Sequence, residues 1–261
     1  MFFLDLRGRK KYIFLLSIGL LFMILVGVFS LDFGKGSNYL ASQVRAIVKL
    51  QPIYRVAKEQ KQVGISFDAT WGSEYTEEIL NKLDAYQVKA TFFLPNTWIT
   101  EYPELSKEIA QRGHEIGLHS ATHPHFNTLS AAGMEQEIQD NYDKIKEITG
   151  QSARLFRPPF NEYNNTCIEV CDKLGVLPVL WSVDSLDWQG HAAKEISATV
   201  LSQITPGEIM LFDSNGKHTA QSLDLIFASL LEDGYQIVPL SRLLLQEESY
   251  IDYGGTQRVL P

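Results

Sequence analysis

Between about residue 61 and residue 240, short unbroken apolar runs alternate with stretches whose apolar residues recur every three or four positions. Val63–Phe67, Ala90–Leu94 and Glu115–Leu118 read as strands, as do the runs around Leu155, Leu177–Val183, Glu208–Phe212 and Gln236–Pro239. Helical spacing lies between them: Ile79, Leu80, Leu83 and Tyr86, then a helix opened by Pro103 through Leu105 and Ile109 to Gly113. Ser130 is placed to cap a long helix carrying Met134, Ile138, Ile145 and Ile148, with Gly150 at its end. Ile196, Val200 and Ile204 mark one later helix face, and Leu223, Phe227 and Leu230 another.

Strands that are apolar on both faces and alternate with helices predict a parallel sheet covered by helices. Seven such strands are too few for a regular eight-stranded barrel, and a doubly wound sheet also fits the pattern. The placement of polar residues favours a barrel. Asp68, His119, Arg157, Asp184 and Asp213 each stand at or near the carboxyl end of a predicted strand, where a parallel barrel gathers its site. The fold class read here is α/β, an irregular seven-stranded parallel (β/α) barrel preceded by a transmembrane helix.

The N-terminal pattern is different in kind. Arg7, Arg9, Lys10 and Lys11 precede an uncharged run from Tyr12 to Leu31. As a helix that run reaches about 30 Å, the thickness of a hydrocarbon core. The basic flank places residues 1–11 in the cytoplasm and the rest outside. Val28 and Ser30 are small enough for a signal-peptide cleavage site, but such apolar runs are usually about 7–15 residues, so an uncleaved anchor at 12–31 is the reading. The resulting division is a linker or stalk at 32–60, a domain at 61–245 and a C-terminal tail at 246–261 that trails off. The predicted localisation is the cell membrane, single-pass, with the domain extracytoplasmic.

A net charge of −8 excludes the basic face that nucleic-acid binding requires. The cysteines, Cys167 and Cys171, are four apart on one predicted helix face, with no companion CxxC or nearby histidine. They read as apolar residues, not as a zinc site or a disulfide.

The chemistry concentrates in three segments. His119-Ser120-Ala121-Thr122-His123 sets two imidazoles four residues apart, able to share one divalent metal. Ser66-Phe67-Asp68 ends an apolar run in a carboxylate, a candidate base for a metal-bound water. Arg157, in Arg157-Pro158-Pro159-Phe160-Asn161, carries a charge that would hold such a carboxylate ionised.

Together, in this order, these segments resemble the motifs of the NodB-type polysaccharide deacetylases, carbohydrate esterase family 4. The resemblance runs over about residues 61 to 245 and implies the irregular barrel. It also implies a divalent metal, zinc above all, on His119 and His123. Its third ligand is the second Asp of T-F-D-D-G, but Ser66-Phe67-Asp68-Ala69-Thr70 has Ala69 there, so the site is weakened. Asp68 is then the base, Arg157 orients it, and the Phe160 N–H helps hold the oxyanion. The segment Trp181 to Trp188 resembles the fourth motif, in which Asp187 tunes the general acid and Trp188 walls the sugar pocket, with Asp184 also facing substrate. The fifth motif, L-x-H-D, reads Leu211-Phe212-Asp213-Ser214, which puts Asp213 where the acid histidine belongs. Three roles are open to this position. Asp213 close to Asp187 serves as a protonated carboxyl by like-charge coupling, or His218 swings in as the acid, or Asp213 reaches the metal as the missing ligand. Asp68 to Gly72, read Asp-x-x-Trp-Gly, resembles a membrane-anchored, sporulation-associated subgroup.

The implied activity is a metal-dependent hydrolase removing N-acetyl groups from amino sugars of cell-wall polysaccharide, above all peptidoglycan. The competing reading is a catalytically impaired relic that keeps the glycan groove, and Ala69 and Asp213 are its grounds. A glycosidase built on Asp68, Asp184 and Asp187 leaves both histidines without a role.

Overall fold

Both faces of the apolar runs are buried, and the alternation of side chains along each strand decides what stands on which face. The computed structural model describes residues 49–260, and one compact unit begins at Leu50. On β2 (Gln62–Asp68), Val63, Ile65 and Phe67 join the large core against the helices, so Gly64, Ser66 and Asp68 face the interior of the curled sheet. The same parity on β3 (Thr91–Leu94) gives Phe92 and Leu94 to the helix side and Phe93 to the interior. Phe67 stacks on Phe92 at 4.9 Å and lies 5.6 Å from Phe212, fixing three strands to one another.

The other parallel strands are β4 (Glu115–Leu118), β5 (Leu155–Phe156), β6 (Leu177–Pro178), β7 (Val183–Asp184) and β8 (Ile209–Asp213). They run in the order β6-β5-β4-β3-β2-β8-β7, and β9 (Gln236–Val238) lies beside the start of β2. This is a parallel sheet curled into an incompletely closed barrel. Gly117 on β4 is required by close approach: a Cβ there would sit 2.4 Å from the Phe93 ring.

Helices cover the outside. They are α1 (Thr76–Ala85), α2 (Asn96–Glu101), α3 (Pro103–Gln111), α4 (Ala131–Thr149), α5 (Asn165–Leu174), α6 (Ala193–Leu201), α7 (Thr219–Glu232) and the short α8 (Leu240–Leu243). Ser130 caps α4 through its hydroxyl, which accepts from the Gly133 N–H, and Gly150 closes it at φ 74°. Cys167 and Cys171 are both buried on α5 and unbridged.

Three expectations change. The run Leu177–Val183 is two strands, not one. Pro178 offers no N–H, and the two ends pair with different neighbours, β6 with β5 and β7 with β8. The stretch expected as the end of a stalk is part of the folded unit. Ile53 N–H donates to the Pro178 carbonyl, the Leu180 N–H donates back to Ile53, and Ile53 packs with Phe93, Leu155 and Ile209 in the interior. The tail expected to trail off is a hairpin, β10 (Ser249–Ile251) and β11 (Thr256–Val259), and β11 pairs in parallel with β1 (Arg55–Val56). Among the described residues no helix is long and apolar enough to cross a membrane, and the run 12–31 lies outside them.

Candidate active site

The inward parity of β2 and β8 and the loops after β4, β5 and β7 converge on one open pocket of about 660 Å³. It is lined by Asp68, His119, His123, Phe160, Asp184, Asp187, Trp188 and Asp213, so eight of the nine side chains singled out in the sequence share it. The ninth, Arg157, is fully buried beneath.

Arg157 is the keystone. Its Nη1 donates to Asp68 Oδ1 at 2.7 Å and its Nη2 to Ser66 Oγ at 2.9 Å and the Leu180 carbonyl at 3.2 Å. Its Nε donates to the Val179 carbonyl at 3.3 Å. The guanidinium lies 4.0 Å from the centre of the Phe93 ring, with Trp181 at 5.3 Å. Burial lowers the Arg157 pKa, and Asp68 opposes that shift, the pairing a buried charge requires. This fork fixes the Asp68 carboxylate in direction and position.

His119 is buried, and its Nδ1 lies 2.7 Å from the Arg157 carbonyl. A carbonyl only accepts, so Nδ1 carries the hydrogen and Nε2 keeps its lone pair. Its backbone N–H donates to Asn141 Oδ1 at 2.7 Å, and Asn141 in turn donates to the Leu94 carbonyl and Asn96. His123 stands at φ 55°, its ring centroid 4.9 Å from that of His119. The turn between them is pinned by Glu137, which accepts from the Thr122 N–H and hydroxyl at 2.8 Å each. Burial lowers the pKa of both imidazoles, that of His123 to about 4. Both are neutral at physiological pH, the state that ligates metals.

A resident divalent metal finds two donors here. The lone pair on His119 Nε2 and the buried His123 Nδ1, which has no partner among the described residues, fit that role. A third is not found among the described residues. Ala69 is fully buried, and no group of three His, Cys, Asp or Glu side chains able to hold a metal occurs among the described residues. Asp213 thus forms no such group with the two histidines among the described residues.

Asp213 ends β8 in register with Asp68 at the end of β2. Its backbone N–H donates to both oxygens of Asp187 at 3.1 and 3.2 Å, and its own Oδ1 accepts from the Asn215 N–H at 2.7 Å. The expected closeness to Asp187 is present, but the contact runs through the Asp213 backbone. Asp213 has its pKa pushed up to about 7, chiefly by burial, with the Asp187 and Asp68 charges adding to it. Like-charge coupling is thus a secondary cause. Asp187 is buried, accepts the Thr219 hydroxyl, and its pKa is raised by burial. His218 stands at the N-terminus of α7 and is not among the residues lining the pocket.

Phe160 occupies the left-handed region at φ 56°, half-exposed, its ring stacked on His125 at 4.3 Å. Trp188 is exposed on the turn after β7, and Asp184 Oδ1 accepts from the Leu186 N–H at 3.0 Å. Sequence reasoning missed Ser66 and Asn141 as supports and Trp71 as a lining residue. Ser66 gave one signal, a polar side chain inside a run otherwise apolar on both faces.

The comparisons agree with this geometry. The polysaccharide deacetylase family model matches residues 55–179. YlxY of Bacillus subtilis is 32% identical over 78% of this chain and 65% of its own length. The peptidoglycan-N-acetylglucosamine deacetylase PgdA of Listeria monocytogenes is 31% identical over 79% of this chain and 42% of its own. The chain thus spans less than two thirds of either relative. A CE4-family pseudoenzyme from Bacillus anthracis superposes with a TM-score of 0.72 at 33% identity, covering 75% of this chain and 69% of that one. A mutant of the same protein, described as having restored enzymatic activity, superposes equally well. With the motif side chains gathered at one barrel mouth and relatives at this level of identity, the chain belongs to the NodB-type polysaccharide deacetylases, carbohydrate esterase family 4.

Proposed function

We propose that this protein hydrolyses N-acetyl groups from amino sugars of cell-wall glycan, peptidoglycan above all. The observation that carries the reading is the Asp68–Arg157 ion pair at 2.7 Å beside the neutral His119 and His123 pair, in one aromatic-rimmed pocket. CE4 deacetylases generally depend on a divalent metal; when bound, it supplies Lewis-acid polarisation and an acidified water. His119 and His123 are the residues that would hold it, and zinc is the metal their nitrogen donors suit.

The chain's own residues divide the remaining work. Asp68, aimed by the Arg157 fork, accepts the proton of the attacking water. The Phe160 backbone N–H, presented by the left-handed turn, stabilises the oxyanion. Asp213, with a pKa raised to about 7 and standing beside Asp68 on the neighbouring strand, donates a proton to the leaving amine. Asp187 holds the Asp213 backbone, and Trp188 offers its indole face to a pyranose ring. The products are acetate and a free amino sugar.

The run Tyr12–Leu31 with its basic flank supports anchoring in the cell membrane with the domain outside, facing its glycan. The resemblance of Asp68–Gly72 to the sporulation-associated subgroup supports that setting.

A second reading has an observation of its own. The absent third ligand at Ala69 and the similarity to a CE4 pseudoenzyme favour a glycan-binding protein with impaired catalysis. Metal content and acetate release decide between them, measured on the protein and on a His119→Ala/His123→Ala double variant with zinc or cobalt supplied. Near-stoichiometric metal and acetate release that vanishes in the double variant establish the deacetylase. Metal-free protein that retains wall glycan and releases no acetate establishes the relic.

A further inference from the structure

The loop from β8 to α7 turns back on itself at its first residue. Asp213 Oδ1 accepts the Asn215 N–H at 2.7 Å, closing an Asx turn, and the Asp213 carbonyl accepts the Gly216 N–H at 3.3 Å. A Cβ at Gly216 would collide with the Thr219 hydroxyl and crowd the Asp187 carboxyl, so the turn lies close against Asp187. One oxygen of the Asp213 carboxyl is thereby occupied. Oδ2 accepts no bond among the described residues, and Asp213 lines the pocket.

The turn is held in its own right from a second loop, the one after β2 that carries Trp71. The Asn215 side-chain oxygen accepts the Tyr75 N–H at 3.3 Å. Hydrogen bonds from its own backbone N–H and then from the Asn215 side chain hold the Glu74 carboxyl below its ordinary pKa. Gly72 makes room for this contact: it sits at φ 66°, and a Cβ there would collide with the Asn215 amide. The next residues add backbone bonds on either side. The Thr76 hydroxyl donates to the Ser214 carbonyl at 3.1 Å, and the Ser214 N–H donates to the Asp68 carbonyl at 2.9 Å. Asn215 therefore grips the loop after β2 with its side chain and the Asp213 carboxyl with its backbone.

We propose that Asn215 is a positioning residue for Asp213: by clamping the two loops together it keeps its own N–H on Oδ1 and reserves Oδ2 for the proton given to the leaving amine. This rests on the acid role of Asp213 in the reading above and adds the residue that aims it. In that step the Oδ2–H bond breaks, the electrons of the carbon–nitrogen bond pass to nitrogen, and nitrogen takes the proton. Asp213 is left as a carboxylate whose Oδ1 still holds the Asn215 N–H. A carboxyl free to rotate would present either oxygen, and small misplacements of a reacting group are costly in rate.

The test separates aim from chemistry. Burial raises the Asp213 pKa and the Asn215 N–H opposes that rise, so loosening the turn should move it further up. The full chain, carbon-13 labelled at its aspartate carboxyls, is titrated by NMR, with the Asp213 signal identified by its loss in Asp213→Asn. Acetate release is followed on the same samples. Asn215→Ala deletes the clamp and keeps the backbone N–H. It should raise the Asp213 midpoint by about 0.5 or more and lower kcat by about fivefold or more, with KM little changed. Asn215→Asp sets two carboxylates against each other and should not restore either value. Glu74→Gln/Asn215→Asp exchanges amide and carboxylate across the same bond at unchanged net charge, and should bring both back. A midpoint unmoved in Asn215→Ala, or a shift that the double variant fails to reverse, overturns the clamp. Wild-type protein that releases no acetate while its midpoint follows the clamp sinks the deacetylase reading and leaves the Asn215–Asp213 coupling standing. Acetate release at wild-type kcat and an unmoved midpoint in Asn215→Ala do the reverse.

Discussion

A carboxyl group stands at 213 where the family's acid histidine belongs, and burial makes the substitution chemically intelligible. An ordinary aspartate is ionised near neutrality and donates no proton. Asp213, raised to about 7, is substantially protonated at and below that pH. Deacetylation should therefore hold up below about pH 7 and decline above it as the donor ionises. Asp213→Asn should lower kcat by about 10²-fold or more and abolish that alkaline decline, read in a pH–rate profile. The other departure, Ala69, leaves two imidazoles without their third partner. Ala69→Asp should raise zinc affinity by about tenfold or more, measured by competition with a chelating dye, at some cost in thermal stability because the position is fully buried. At this scale most of the site was legible in the sequence, because ligand, base and orienting cation are residue types whose chemistry is specific. The supports were not. Asn141 on α4 shares the face of Ile138 and Ile145 by its spacing, but only the fold shows that its side chain meets the His119 N–H.

Strand and helix positions were legible for the same reason that they form: apolar runs must be buried on both faces, and the helix caps name themselves. Pairing partners were not. Whether Leu177–Val183 is one strand or two depends on which neighbours its ends meet, and those are distant in sequence. The hairpin β10–β11 was illegible because little in it is buried: Tyr250, Ile251 and Val259 are exposed, and Gln257 is the residue turned inward. It earns its place by pairing. The Ala57 N–H donates to the Gln257 carbonyl, the Tyr54 N–H donates to Gly255, and the Gln257 side chain accepts from the Leu245 N–H. These bonds fasten β1, and with it Ile53, which lies under the Val179 and Leu180 carbonyls that hold Arg157. Truncation after Leu245 should lower Tm by roughly 5 °C or more in a thermal melt, the shift expected for losing a few kcal/mol in a domain of this size. A melt unchanged by the truncation would show that β1 needs no such support.

For the whole molecule, burial of titratable groups sets two opposed pH trends. Asp213 and Asp187 have raised pKa values, so each favours the folded state most at low pH and loses that contribution as pH rises through its folded value. His114 works in the other direction. It is buried, its Nδ1 accepts the Ala90 N–H at 3.2 Å, and its Nε2 has no partner among the described residues. Burial pushes its pKa down to about 4, with the Lys89 and Arg112 charges assisting and Asp84 opposing. Between about pH 6.5 and 4 the unfolded chain holds a proton on this imidazole that the folded chain does not, so its contribution is intact above 6.5 and shrinks as pH falls. The size of that loss is roughly 3 kcal/mol. Because the carboxylates push the other way, the net acid limb of the protein does not isolate it; a comparison with His114→Phe does. The aromatic ring preserves packing on Phe92, 5.4 Å away, and leaves the Ala90 N–H unpaired at every pH, a constant penalty. Urea unfolding of both proteins at pH 7.5 and pH 4 should therefore show the variant less stable at the higher pH, with the gap narrowing by roughly 3 kcal/mol at the lower. A gap that stays constant across that range would mean that His114 takes up its proton in the folded state as readily as in the unfolded one.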